Sequence, residues 1–119
     1  MQQFVVKLTA GEENPEQCSQ AFTVAATALA AGVQVSMWLS GEATWFAVPG
    51  RAERLTLPNA TPLAGLRDLM IAGGTLTACS QCVDRRGLTS DDLLPGVRIS
   101  GAATFVEEVL TPETKALVY

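Results

Sequence analysis

Short apolar runs rich in β-branched residues alternate along the chain with segments whose apolar residues recur at helical spacing. This alternation predicts βαβ units and a parallel sheet. The predicted strands span residues 4–9, 33–39, 75–78, 97–100 and 116–119. The length of 119 residues suits one compact domain, so we predict a single α/β domain over positions 1–119.

The first helix is the clearest of the predicted helices. Asn14 can cap its amino end, and Pro15 suits the first helical position. Cys18 and Phe22 lie on its apolar face, and Gly32 ends it. Because Cys18 shares the apolar face, we expect it to be a core residue. The other predicted helices span about 62–72 and 102–110.

Composition narrows the chemistry that the chain can perform. The sequence has no histidine, which excludes a Ser-His-Asp triad and a Cys-His dyad and removes the commonest zinc and copper ligand. A formal net charge of -4 argues against nucleic acid or an anionic membrane as a partner. The apolar stretches are too short to cross a bilayer, and the amino terminus lacks the charged region of a secretory signal. We therefore predict a cytoplasmic protein.

Two cysteines that follow the third predicted strand are the residues with candidate chemistry. Cys79 and Cys82 form a Cys-x-x-Cys motif, and Arg85 and Arg86 come soon after it. Ligands gather at the carboxyl ends of parallel strands, where helix amides and arginine charges favour a thiolate. If the segment is helical, Cys82 lies one turn from Cys79, close enough for thiol exchange. The motif predicts a thiolate nucleophile that needs no histidine base.

Other interpretations of this cysteine pair stay open. A zinc site is weakly supported, because one such motif supplies two ligands and the chain has no histidine. A redox dithiol of the thioredoxin type fits the spacing, although the pair lies in the second half of the chain. Two buried cysteines that only fill space are the structural alternative. We expect neither a bound metal nor a cofactor.

Residues 77–88 read Thr-Ala-Cys-Ser-Gln-Cys-Val-Asp-Arg-Arg-Gly-Leu, with a glycine eight residues after the first cysteine and directly after a basic pair. This segment resembles the signature of the DsrE/DsrF-like family, which includes the TusD-type sulfur relay subunits, and the resemblance extends over nearly the whole chain. It implies a three-layer α/β sandwich of about five mainly parallel strands flanked by helices, YchN-like and flavodoxin-related, assembled into homotrimers or homohexamers. An apolar content of 48% agrees with a subunit interface.

The resemblance also implies a role for Cys79. The matching cysteine carries a persulfide in the relay members, which implies a sulfur carrier or sulfurtransferase-like protein with persulfide donor and acceptor proteins as partners. Cys82 is a second thiol that the TusD-type pattern does not require, and such a thiol can attack a persulfide, release sulfide and leave a disulfide. The alternatives are a non-catalytic oligomeric binding or redox-sensing module and a dithiol oxidoreductase.

Overall fold

The computed structural model describes residues 2–119. Its strands and α-helices alternate along the chain, and the predicted strands and helices are all present with ends within two residues of the observed ones. The elements are β1 (Gln3–Leu8), α1 (Pro15–Ala30), β2 (Gln34–Leu39), α2 (Leu63–Gly73), β3 (Thr75–Cys79), α3 (Ser80–Arg85), β4 (Arg98–Ser100), α4 (Ala102–Val109) and β5 (Thr114–Val118). Short 3₁₀ helices span Gly41–Ala47, Ala52–Arg54 and Ser90–Asp92.

The strands form one parallel sheet in the order β4-β3-β2-β1-β5. The chain steps in one direction from β1 to β4 and then returns to place β5 on the far side of β1. Because parallel crossovers are right-handed, α1 and α2 lie on one face and α4 of the returning crossover lies on the other. The predicted parallel sandwich is confirmed. Its strand order differs from the 2-1-3-4-5 order of flavodoxin. The likeness to flavodoxin is therefore limited to the layered arrangement of a parallel sheet between helices.

The main core lies between the sheet and the helices α1 and α2. Every second strand residue points to this face, and these residues are fully buried at Val6 and Leu8 in β1 and at Met37 in β2. They pack in one hydrophobic cluster with Phe22 of α1 and Met70 of α2. Each large apolar side chain buried in this way stabilises the fold by about 1.5–3 kcal/mol.

Cys18 belongs to this core, as the sequence predicted. Its side chain is fully buried in α1, and its thiol donates hydrogen bonds to the backbone oxygens of Ala10 and Gly11, with Sγ to oxygen distances of 3.3 Å and 3.1 Å. Burial, with the nearby charge of Glu13, raises the pKa of the Cys18 thiol to about 12. The thiol therefore stays protonated at neutral pH and acts as a packing residue.

The opposite face of the sheet is held by a polar network around Glu108 of α4. Its carboxylate accepts hydrogen bonds from the Ser36 hydroxyl at 2.6 Å, the Trp38 indole at 2.9 Å and the Arg98 guanidinium at 2.7 Å. The Phe105 ring meets the Trp38 ring edge-on, with ring centroids 5.4 Å apart. Burial raises the pKa of Glu108, but these donors and the Arg98 charge outweigh it and lower the pKa below its ordinary value.

We expect Glu108→Gln to lower the free energy of unfolding at pH 7 by about 1–3 kcal/mol, the usual range for buried hydrogen bonds to a charged group. Since folding lowers the pKa of Glu108, its contribution is complete above the unfolded-state pKa of about 4.3 and is lost as pH falls through the folded-state pKa. Urea unfolding of wild type and variant from pH 7 to pH 3 measures this. Exposed Glu107→Gln is the matched control. If Glu108→Gln lowers the free energy of unfolding by the same amount at every pH, this role of the Glu108 carboxylate is contradicted.

Candidate functional site

Cys79 and Cys82 lie where β3 ends and α3 begins. Cys79 is the last residue of β3 and the residue before the first turn of α3, and Cys82 lies within that helix. This is the carboxyl edge of the parallel sheet, where ligand crevices of open α/β folds form. All three cysteines of the chain are free thiols, with Cys79 half-buried and Cys82 buried.

A cavity of about 240 Å³ contains both thiols of the pair. It opens at the carboxyl ends of β1, β2 and β3, and the first turns of α4 cover it. Its walls are formed by Lys7, Trp38, Ser40, Cys79, Gln81, Cys82, Ala102 and Phe105. Another cavity of about 240 Å³ lies by the loop before α2, around Glu53, Leu57 and Leu63, and no thiol lines it. We therefore take the cysteine cavity as the candidate site.

A backbone N–H group stabilises the sulfur of Cys82. Gly41, in the turn after β2, donates its N–H to Cys82 Sγ, with an N to Sγ distance of 3.2 Å. Gly41 has a φ of 56°, and a Cβ atom there would lie 2.8 Å from the backbone oxygen of Thr9. Both the positive φ and the close approach require glycine at this position. The turn therefore places its N–H against a residue 41 positions later in the chain.

Arg86 adds positive charge near the same thiol. Its guanidinium donates to the backbone oxygen of Cys82 at 3.2 Å and to the Glu42 carboxylate at 2.7 Å and 3.1 Å. Burial raises the pKa of Cys82, but the Gly41 N–H, the neighbouring Cys79 thiol and the Arg86 charge outweigh it and lower the pKa. Cys82 thus has the environment of a reactive thiolate.

The two arginines that the sequence analysis grouped together are in different surroundings. Arg86 lies against α3 and touches Cys82, whereas Arg85 is exposed on the surface of the same helix. The Gly41 N–H, which favours a thiolate, is donated to Cys82. The sequence pattern had instead indicated Cys79 as the thiolate. The difference arises because the Gly41 turn, which belongs to another strand connection, approaches the second cysteine and not the first.

The three aromatic residues in and after β2 also lie in different surroundings. Trp38 is buried and forms one wall of the cysteine cavity. Phe46 packs in the main core, where its ring meets the Phe22 ring edge-on at a centroid distance of 6.1 Å. The guanidinium carbon of Arg51 lies 4.4 Å from the centre of the Trp45 ring. Of these three aromatic residues, Trp38 is the one that lines the site.

Sequence reasoning missed the cavity residues that come from other elements. Lys7 comes from β1, and its ammonium nitrogen lies 4.8 Å from the centre of the Phe105 ring of α4. Ser40 directly follows β2. A lysine in a mostly apolar strand is the one signal in the sequence that marks this group. Among residues 2–119, no group of three or more Cys, Asp or Glu side chains is placed to hold a metal ion.

We expect Arg86→Gln to raise the pKa of Cys82, because it removes a positive charge that favours the thiolate. The measurement is the pH dependence of Cys82 alkylation by iodoacetamide, followed by mass spectrometry of the Cys82 peptide. Arg85→Gln is the matched control, since it removes the same charge from an exposed neighbour. Equal pH profiles for Arg86→Gln and Arg85→Gln contradict this role of Arg86.

Known proteins resemble this chain in sequence and in fold. The uncharacterized protein MJ0760 of Methanocaldococcus jannaschii is 27% identical over 113 residues, which are 94% of this chain and 41% of that protein. This chain therefore spans about two fifths of the length of that relative.

The fold matches the crystal structure of the ychN protein from E. coli, with a TM-score of 0.83, 16% identity and complete coverage of both chains. It also matches the protein of unknown function MTH1491 from Methanobacterium thermoautotrophicum, with a TM-score of 0.72, 15% identity and complete coverage of both chains. No helix among residues 2–119 is long and apolar enough to span a membrane. The sequence profile of the DsrE/DsrF-like family matches residues 2–114, so the chain belongs to this family.

Proposed function

We propose that this protein is a thiol-based sulfur carrier that holds sulfur as a persulfide on Cys79, with Cys82 as its resolving or modulating thiol. The observation that carries the proposal is one cavity with two free thiols, in which Cys79 is the more exposed one. Membership of a family that includes sulfur relay subunits supports it. The protein acts on partner persulfides in the cytoplasm.

The loading step transfers one sulfur atom from a donor persulfide, R–S–SH. The Cys79 thiolate attacks the outer sulfur, a bond forms between Cys79 Sγ and that sulfur, and the donor leaves as its thiolate. Cys79 then carries –S–SH. An acceptor thiolate takes the outer sulfur by the same reaction and returns Cys79 to the thiolate. Neither step requires a metal, a redox cofactor or a histidine.

Cys82 can end the carrier state. Its thiolate attacks Cys79 Sγ of the persulfide, a Cys79–Cys82 disulfide forms, and hydrosulfide leaves with the electron pair of the broken sulfur–sulfur bond. A partner dithiol then reduces the disulfide and is itself oxidised to a disulfide. The Gly41 N–H and the Arg86 charge support this role, because they favour the Cys82 thiolate that makes the attack.

Intact-mass measurement after incubation with a persulfide donor tests the carrier. We expect wild type to gain the mass of one sulfur atom and Cys79→Ser to lose most of this gain. Cys82→Ser keeps the persulfide longer, because the resolving thiol is absent. Cys18→Ser is the matched control, since this thiol is buried in the core. Equal sulfur loading on Cys79→Ser and wild type contradicts the proposal. A Cys79–Cys82 disulfide that forms without sulfur uptake favours a dithiol oxidoreductase.

We also propose that the chain assembles into a homotrimer or homohexamer through the surface of α4 and β5. Large apolar side chains are exposed there, with exposed fractions of 50% at Val106, 76% at Leu110 and 65% at Val118. The two elements lie in contact with each other. Apolar side chains grouped on a surface are typical of protein interfaces. Burial in an oligomer would remove this area from water.

Light scattering tests the assembly. We expect wild type to be a trimer or hexamer and Leu110→Asp to be a monomer, because a carboxylate is unfavourable in a buried apolar interface. Leu69→Asp is the control, since Leu69 is an exposed leucine on α2, on the other face of the sheet. A monomeric wild type contradicts the assembly, and a Leu110→Asp oligomer of unchanged mass contradicts the interface.

A further inference from the structure

The thiol cavity contains a cation and a buried hydroxyl that the carrier mechanism does not use. We propose that Lys7 and Ser40 form an anion site there, which binds the oxyanion end of a small inorganic sulfane-sulfur donor of the thiosulfate type. The outer sulfur of the donor then faces Cys79. This inference rests on the proposed function, because it names the class of compound that loads the carrier.

The Lys7 ammonium lies over the Phe105 ring and has no carboxylate partner among residues 2–119, so it leaves positive charge on the cavity wall. It lies in β1 beside Trp38 of β2, and its side chain is half-buried. Among residues 2–119, Lys7 forms no ion pair with a carboxylate. Five of the six arginines are in ion pairs with glutamate or aspartate side chains: Arg51, Arg54, Arg67, Arg86 and Arg98. A lysine without a carboxylate partner attracts anions to the cleft that it lines.

Ser40 supplies a hydroxyl that lacks a partner. Its exposed fraction is 8%, and its Oγ has no hydrogen-bond partner within residues 2–119. Its backbone N–H is bonded to the Leu8 oxygen at 2.9 Å, which fixes the residue at the end of β2. Burial of a polar group without a partner is unfavourable, and an anion in the cavity would provide the missing acceptor. Ser40 also directly precedes Gly41, whose N–H binds Cys82 Sγ.

The size of the cavity selects a small donor. At about 240 Å³ it is smaller than the roughly 300–1,000 Å³ of pockets for drug-sized ligands. Apart from Lys7, Ser40 and the residues of the thiol motif, its walls are the apolar side chains of Trp38, Ala102 and Phe105. A tetrahedral oxyanion with one outer sulfur has one charged end for the cation and one sulfur for the thiol.

The transfer balances without an added reductant. The Cys79 thiolate attacks the outer sulfur of thiosulfate, a bond forms between Cys79 Sγ and that sulfur, and the sulfur–sulfur bond of thiosulfate breaks. Its electron pair leaves with sulfite, and Cys79 carries a persulfide anion, so the total charge is unchanged. Lys7 and Ser40 would contact the sulfite oxygens, where negative charge develops as the bond breaks.

Sulfur loading from two donors tests this site. The first donor is thiosulfate, and the second is the persulfide of an uncharged small thiol, which lacks the oxyanion. We expect Lys7→Gln to slow thiosulfate loading by about tenfold or more, because it removes a charged hydrogen-bond donor. Lys7→Arg retains most of the rate, and Ser40→Ala slows loading to a smaller extent. Lys115→Gln is the matched control, since Lys115 is the other lysine of the chain and lies on the edge strand β5.

Competition by sulfate is a second test of the anion site. Sulfate presents the same oxyanion without an outer sulfur, so we expect it to slow thiosulfate loading of wild type more than chloride does at equal ionic strength. Sulfate slows loading from the small-thiol persulfide no more than chloride does, and Lys7→Gln slows this loading much less than it slows loading from thiosulfate. If the small-thiol persulfide loads Cys79 but thiosulfate does not, or if Lys7→Gln loads from thiosulfate like wild type, the anion site is overturned and the carrier stands. If neither donor loads Cys79, the carrier itself fails.

Discussion

One helix covers the sheet face opposite α1 and α2, and the site depends on how that helix is held. The reversal of the chain after β4 leaves α4 alone on this face. Glu108 connects α4 to β2 and β4 through donors from Ser36, Trp38 and Arg98. The same packing sets the Phe105 ring against Trp38, and both rings form walls of the thiol cavity. Hydrogen bonds to a charged carboxylate therefore hold the helix on this face of the sheet, whereas apolar packing holds α1 and α2 on the other face.

The two cysteines of the motif have different environments, and this gives each a separate part in the proposed chemistry. Cys79 is the more exposed thiol, which suits a sulfur acceptor that must meet partner molecules. Cys82 is buried and receives the Gly41 N–H, which suits a thiolate that attacks a neighbouring persulfide. Cys18, with its pKa raised to about 12, is excluded from this chemistry by burial. The three cysteines are thus one packing residue and one pair to which the proposal assigns the chemistry.

Local sequence signals predicted the elements well, because each depends on neighbours a few residues apart. Asn14 accepts a hydrogen bond from the Gln17 N–H at the start of α1, as its position before Pro15 indicated. Thr89 and Asp92 form a capping box at the short 3₁₀ helix, and this box also depends on residues only three positions apart. The cysteine motif was placed correctly at the end of β3 for the same reason: strand and turn propensities are local.

By itself, the sequence determined the alternation of strands and helices, the core position of Cys18 and the location of the cysteine pair. The sequence also contains no histidine, which excludes a histidine base from the candidate site. The tertiary structure decided that Cys82 is the thiol that receives the Gly41 N–H and that Arg86 is the arginine that binds the Cys82 backbone oxygen. It also placed Lys7 and Ser40 in the same cavity as this thiol. These contacts join residues from separate strands and connections. Strand order and crossover direction create them, and neither is encoded in any local pattern of the chain.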